Sequence, residues 1–137
     1  MLPRNLRLNN PGNIRHGQPW QGQADDQPDP AFVKFKSPAW GIRAMVKIWR
    51  TYKRRDSDGK LTVAELVGQW APPSENKTPE YIKNVCTWTG FSPEYSFDPM
   101  SQEDCCKLVP AVVRQESGLV CQYTRDEILE GVKLGQM

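Results

Sequence analysis

The chain holds one histidine, His16, and its four cysteines, Cys86, Cys105, Cys106 and Cys121, form no CxxC pair. An HExxH motif and a His/Cys ladder are also missing, which excludes zinc fingers and zincins. A Ser-His-Asp or Cys-His triad would have to use His16, which lies in a Gly/Pro-rich stretch with no evident partner. It reads as a solvated loop residue. Charge of one sign is scarce as well. Lys+Arg 18 against Asp+Glu 16 leaves a net +2, too balanced for a protein that lives on a phosphate backbone. No apolar run is long enough to cross a bilayer. The opening Met1-Leu2-Pro3-Arg4-Asn5 lacks the apolar stretch of a secretory signal, so action outside the cytoplasm calls for delivery by other machinery. Four cysteines are compatible with disulfides or with reduced core thiols, and the pairing is open.

What remains is enough for one domain with a real core: 137 residues, 38% hydrophobic and 25% charged. The first 36 residues read as loops with a small β-hairpin. Asn9-Asn10-Pro11-Gly12-Asn13 is turn chemistry, and Phe32-Val33-Lys34-Phe35-Lys36 reads as a strand pairing back toward Asn13-Ile14-Arg15. From residue 37 the pattern is helical. Ser37-Pro38 opens a helix to about Arg54, with Ile42, Met45, Val46, Trp49 and Tyr52 on one face. Its basic residues Lys47, Arg50, Lys53, Arg54 and Arg55 read as a solvated helix end favoured by the dipole rather than a nucleic-acid patch.

Capping boxes at Thr62/Glu65 and Thr124/Glu127 open two further helices. Thr78-Pro79 starts a helix ending near Gly90, and Ser101 caps one that runs to Gly118, either continuous or broken at Pro110. The fold class expected is mainly α (α+β), a helical domain with a small N-terminal β-hairpin. Trp49 and Trp88, both helical, are expected in the core.

One helix carries a chemical signal. Cys105, Leu108, Val109, Val112 and Val113 trace an apolar stripe, and Glu116 is its next position. A carboxyl there points to the core or a cleft. Apolar surroundings and the negative helix end both favour its protonated form, as a general acid requires. A helix-end glutamate pairing with Arg114 or Arg125 is the plainer alternative. The loop Trp70-Ala71-Pro72-Pro73-Ser74-Glu75-Asn76-Lys77-Thr78 is stiffened by prolines and can line a cleft, or simply connect helices with Asn76 and Thr78 as caps. Trp20 in its loop is placed to stack on a sugar ring. Asp56, Asp58 and Glu65 fit an EF-hand loop in part, but Arg54 stands where the first calcium ligand belongs. A plain acidic turn is favoured, and no cofactor is required.

Taken together, Asn9 to Arg15, Trp20-Gln21-Gly22, Phe32 to Phe35, Gly41-Ile42-Arg43-Ala44-Met45 and the block from Trp70 to Ile82 resemble a family of phage and prophage proteins. Its members are described as virion structural proteins or peptidoglycan-degrading enzymes. A second likeness is to flagellar-type glucosaminidases of the lysozyme superfamily. Glu116-Ser117-Gly118 matches their Glu-Ser-Gly helix end, Asn13-Ile14-Arg15 their Ile-basic pair, Phe32 to Phe35 their aromatic strand and Pro79-Glu80-Tyr81 their Pro-x-Tyr motif. The glutamate helix comes last here rather than first, as a circular permutation would leave it.

That resemblance implies a lysozyme-like domain and cleavage of the β-1,4 bond of peptidoglycan in the bacterial periplasm or cell wall, by hydrolysis or lytic transglycosylation. It implies Glu116 as general acid, Glu75 as second carboxylate, and Tyr81 stabilising the transition state or orienting an N-acetyl group. Asn13, Arg15, Trp20 and Asn76 would bind substrate. The partners expected are peptidoglycan and a delivery or inhibitor protein, with no nucleic acid and no membrane span, the protein itself acting as a monomer. The competing readings are a non-catalytic virion or cell-wall-binding module and a helical DNA-packaging adaptor.

Overall fold

The computed structural model describes residues 2–52 and 60–137. Among these, six α-helices and one short antiparallel sheet form: α1 (Arg4–Arg7), α2 (Pro38–Trp49), β1 (Leu61–Thr62), α3 (Val63–Trp70), α4 (Thr78–Thr89), β2 (Ser96–Phe97), α5 (Gln102–Ser117) and α6 (Arg125–Gln136). The fold is mainly α, with a minor β element. Lys53, Arg54, Arg55, Asp56 and Asp58 lie outside the described residues, and with them most of the EF-hand comparison. Glu65, its remaining member, has its carboxylate on the Thr62 backbone N–H in a capping box. Among the described residues no group of three His, Cys, Asp or Glu side chains converges, and no helix is long and apolar enough to cross a membrane.

Local chemistry explains most helix ends. Thr62, Ser101 and Thr124 each accept a hydrogen bond from the third helical N–H, satisfying a donor that the helix itself leaves open. Gly90 and Gly118 close α4 and α5 in the left-handed conformation, at φ 82° and 78°. One helix alternative is resolved and one helix expectation needs correction. Helix α5 runs through Pro110 without a break, because Leu108, Val109, Ala111, Val112 and Val113 are buried on both sides of it. That burial offsets the roughly 3 kcal/mol a helical proline costs. Helix α2 stops at Trp49, short of Arg54, where i→i+3 bonds from Thr51 to Ile48 and Tyr52 to Trp49 tighten the chain.

The N-terminal β-hairpin expected in 1–36 does not form as a ladder. Its pairing shrinks to two isolated antiparallel bridges, Arg15 with Phe32 and Gln23 with Phe35. The reason lies in how segment 31–36 spends its backbone groups. Val33 bonds to Ile14, Phe35 to Leu8, Lys36 to Gly22, and Ala24 reaches back to Lys34, so no single partner strand runs alongside. The small sheet sits elsewhere, with Leu61 opposite Phe97 and Thr62 opposite Ser96.

The core joins Trp49, Phe35, Phe97, Ile42, Met45, Leu66 and Leu108, all buried. Trp49 meets Trp70 and Phe97 edge to face, with ring centroids 5.9 and 6.0 Å apart. Trp88 is only partly buried and carries the Arg114 guanidinium 4.2 Å above its ring. All four cysteines are free thiols. The tightest helix pair is α2 against α6, where glycines at Gly131 and Gly135 let the backbones close up. A Cβ at Gly131 would stand 2.5 Å from Ile42 Cβ, and one at Gly135 2.5 Å from Val46 Cβ. Lys47 and Arg50 complete this contact by donating to the Gly135 and Met137 carbonyls at the end of α6, so these two cations serve the helix end rather than a solvated face. Gly131→Ala is expected to destabilise the protein by about 1–3 kcal/mol through overpacking against Ile42, measured by urea unfolding.

Candidate active site: a glutamate held from two sides

Six parts of the fold meet around one cleft of about 500 Å³: α1 at Arg4, the loop from Gly12 to Arg15, the segment at Phe32, the end of α2 at Ile48 with Tyr52 beyond it, the prolyl loop from Trp70 to Asn76, and the last turn of α5. The α5 stripe behaves as its spacing predicts. Cys105, Leu108, Val109, Val112 and Val113 are all buried, and the next position on that face brings Glu116 to the cleft, half-buried.

Both oxygens of the Glu116 carboxylate are engaged. Asn13 Nδ2 donates to Oε1 at 2.9 Å, and the Tyr81 hydroxyl donates to Oε2 at 2.8 Å. Neither Arg114 nor Arg125 pairs with it; Arg114 is the cation stacked on Trp88. The Tyr81 oxygen in turn accepts a hydrogen bond from Trp70 Nε1 at 3.1 Å. An indole N–H is donor only, so Trp70 leaves the phenolic proton no choice but Glu116. Burial, then the neighbouring Glu116 carboxylate, pushes the Tyr81 phenol well above its ordinary range. Tyr81 is therefore a fixed hydrogen-bond donor and not a base. Burial likewise raises Tyr52.

Asn13 reaches Glu116 because the loop before it is built from asparagine side chains. Asn10 is fully buried. Its amide donates to the Ile14 and Val33 carbonyls, both at 2.8 Å, and accepts from the Ile14 N–H at 2.9 Å. Asn5 donates to the Pro11 carbonyl at 3.0 Å and Asn9 to the Phe35 carbonyl at 3.2 Å. These bonds turn the chain sharply, and Asn13 adopts φ 52°, a left-handed conformation that Asn tolerates better than most residues. With its nitrogen on Glu116, Asn13 Oδ1 is buried and has no hydrogen-bond partner among the described residues.

The prolyl loop is pinned at its far end. Thr78, buried at the start of α4, donates its hydroxyl to the Ala71 carbonyl at 2.5 Å, so it is a tether rather than the cap the sequence suggested. Glu75 and Asn76 are exposed and line the cleft; Asn76 holds the Pro72 carbonyl at 3.4 Å. Arg15 also lines it, exposed. Trp20 does not: it packs, partly buried, against the hydrophobic core away from the cleft lining. Its place in a loop suggested a stacking platform, but apolar contact with the core claims the ring instead. Sequence reasoning missed Trp70 as a polar participant, and missed Arg4, Phe32 and Tyr52 as lining residues. Trp70 lay inside a quoted motif, yet only the three-dimensional contact gives its N–H a partner.

No family model matches the chain. Protein P5 of Pseudoalteromonas phage PM2 is 35% identical over 136 residues, a match spanning 96% of this chain and 81% of the phage protein. The chain belongs to the family of that phage protein. Its extent means that the cleft, the Asn-rich loop and α5 all fall within one continuous relationship rather than in a shared fragment.

Tyr81→Phe tests the electrostatics of this cluster. Because the folded-state phenol titrates above its ordinary value near 10, its contribution to stability is full below pH 10 and is lost as pH rises from there. Wild-type stability should fall above pH 10 with up to about 1.4 kcal/mol per pH unit assignable to Tyr81. In Tyr81→Phe that part of the slope should vanish, read from unfolding free energies between pH 9 and 11.

Proposed function

We propose that this protein cleaves the glycan strand of peptidoglycan at a β-1,4 glycosidic bond, with Glu116 as general acid. The observation that carries the proposal is the carboxyl of Glu116, lining a cleft of about 500 Å³ and held by Asn13 on one oxygen and Tyr81 on the other. Each carboxyl oxygen keeps a second lone pair after those bonds, so Glu116 can carry a proton without giving up its position. It delivers that proton to the bridging oxygen as the C1–O bond breaks and an oxocarbenium-like sugar forms. Either water, losing a proton back to a carboxylate, or the sugar's own hydroxyl then closes the valence at C1.

Tyr81, kept neutral by burial, holds the glutamate's orientation throughout and cannot compete for the proton. Glu75, on the prolyl loop, is the second carboxylate available to activate water. Asn76, exposed on the cleft, is the polar group that would meet sugar hydroxyls or an N-acetyl N–H. The lysozyme-like likeness in permuted order supports the same reading, as does kinship with a phage protein, since a phage must breach a cell wall. The site of action is then the periplasm or wall, reached through phage or secretion machinery, with the chain working as a monomer.

Purified sacculi digested with the protein should release soluble muropeptides, identified by mass as carrying reducing or anhydro ends. Glu116→Gln should lower the release at least about 100-fold, and Tyr81→Phe by a smaller factor with the fold intact. Glu116→Gln releasing muropeptides at the wild-type rate would move the chemistry to another residue, and wild-type protein that binds sacculi and releases nothing would leave a wall-binding module in place of an enzyme.

A further inference from the structure

Beside the carboxylates, the same cleft holds a second feature of opposite charge. Arg4, from the short helix α1, and Arg15, from the Asn-rich loop, both pack their guanidinium groups on the ring of Phe32, 3.7 and 4.8 Å from its centroid. Phe32 is buried and both arginines are exposed, and all three line the cleft. Among the described residues neither guanidinium has a carboxylate within ion-pair distance. Sharing one ring keeps the two guanidinium groups within about 8.5 Å of each other, close enough for an anion in the cleft to be drawn to both. Planar, multi-donor guanidinium groups suit carboxylates and do so bidentately.

We propose that Arg4, Phe32 and Arg15 form an anion subsite that recognises carboxylate groups pendant on the glycan, those of the lactyl-linked peptide stem. This rests on the glycan-cleaving reading and extends it from bond to substrate class: the cleft selects a strand carrying carboxylates over a neutral amino-sugar polymer. The charge layout argues for pendant anions on a neutral backbone. A polyphosphate lying along the cleft would meet Glu75 and Glu116 as well as the arginines, whereas a glycan presents uncharged sugar to the two carboxylates and its acidic branch to the cations. Arg15 follows Asn13 by two positions, so the loop that holds the glutamate also places one of the two cations.

The test is co-sedimentation with sacculi of a diderm bacterium, which carry no wall phosphate polymer, using Glu116→Gln protein so that binding is read without digestion. A second batch of sacculi has its carboxylates converted to methylamides. Binding to native sacculi should be about tenfold tighter than to capped sacculi. Arg4→Gln/Arg15→Gln in the same background should bind both batches equally, at the level of the capped wall. Circular dichroism and thermal unfolding establish that the double variant is folded; were it not, Arg15→Gln alone is expected to give a partial loss of discrimination. Equal binding of the parent to both batches, or full discrimination retained by the double variant, overturns the subsite. Neither result bears on Glu116, whose role stands or falls separately on muropeptide release by wild type against Glu116→Gln.

Discussion

The buried amide of Asn10 is the constraint on which the site depends. One side chain satisfies three backbone groups, the N–H and C=O of Ile14 and the C=O of Val33, doing for an irregular loop what a strand pair would do for a sheet. Leaving such groups unsatisfied in a protein interior costs on the order of 1–3 kcal/mol each, so no other conformation of this segment competes easily. Gly41 contributes from below: a Cβ there would collide with the Asn9 carbonyl and the Pro11 ring, and its absence lets the loop lie directly on α2. The result is that Asn13, itself in a strained conformation, is presented to Glu116 by a rigid support.

The opposite support is just as short of freedom. Helix α5 ends at the glutamate after a fully buried apolar face, so the last turn cannot rotate without exposing valines. Trp70 packs edge to face on Trp49 and donates to Tyr81, which sits on α4. A cluster of this kind holds its members in fixed positions, and the glycan cleavage we propose would draw on that rigidity.

Much of this was legible in the sequence wherever a local rule governs. The capping boxes at Thr62 and Thr124, the Gly90 and Gly118 stops and the α5 stripe follow from spacing and side-chain chemistry, and the stripe alone led to Glu116. Asn13, Glu75, Asn76, Arg15 and Tyr81 were singled out, and the fold brings four of them to line one cleft or touch its glutamate from the loop side, with Tyr81 reaching it from α4. The failures share a cause. The two-residue strands β1 and β2 are too short to leave a period. The N-terminal hairpin shrinks to two bridges because segment 31–36 divides its backbone bonds among Leu8, Ile14, Gly22 and Ala24, with Asn9 and Asn10 side chains taking two of its carbonyls, which alternation cannot reveal. Trp20 and Trp70 exchanged importance because a ring's polar partner is set by tertiary contact. Arg4 and Phe32 are 28 positions apart, and nothing in either neighbourhood announces that they touch.

The four free thiols carry a consequence of their own. Burial raises every one of them above its ordinary value, Cys105 to about 12, so hardly any reactive thiolate is present near neutral pH. The described residues are held by packing, hydrogen bonds and surface ion pairs, with all four thiols unlinked. Thiol-alkylating reagents should therefore label the folded chain slowly near neutral pH, and the unfolded chain much faster.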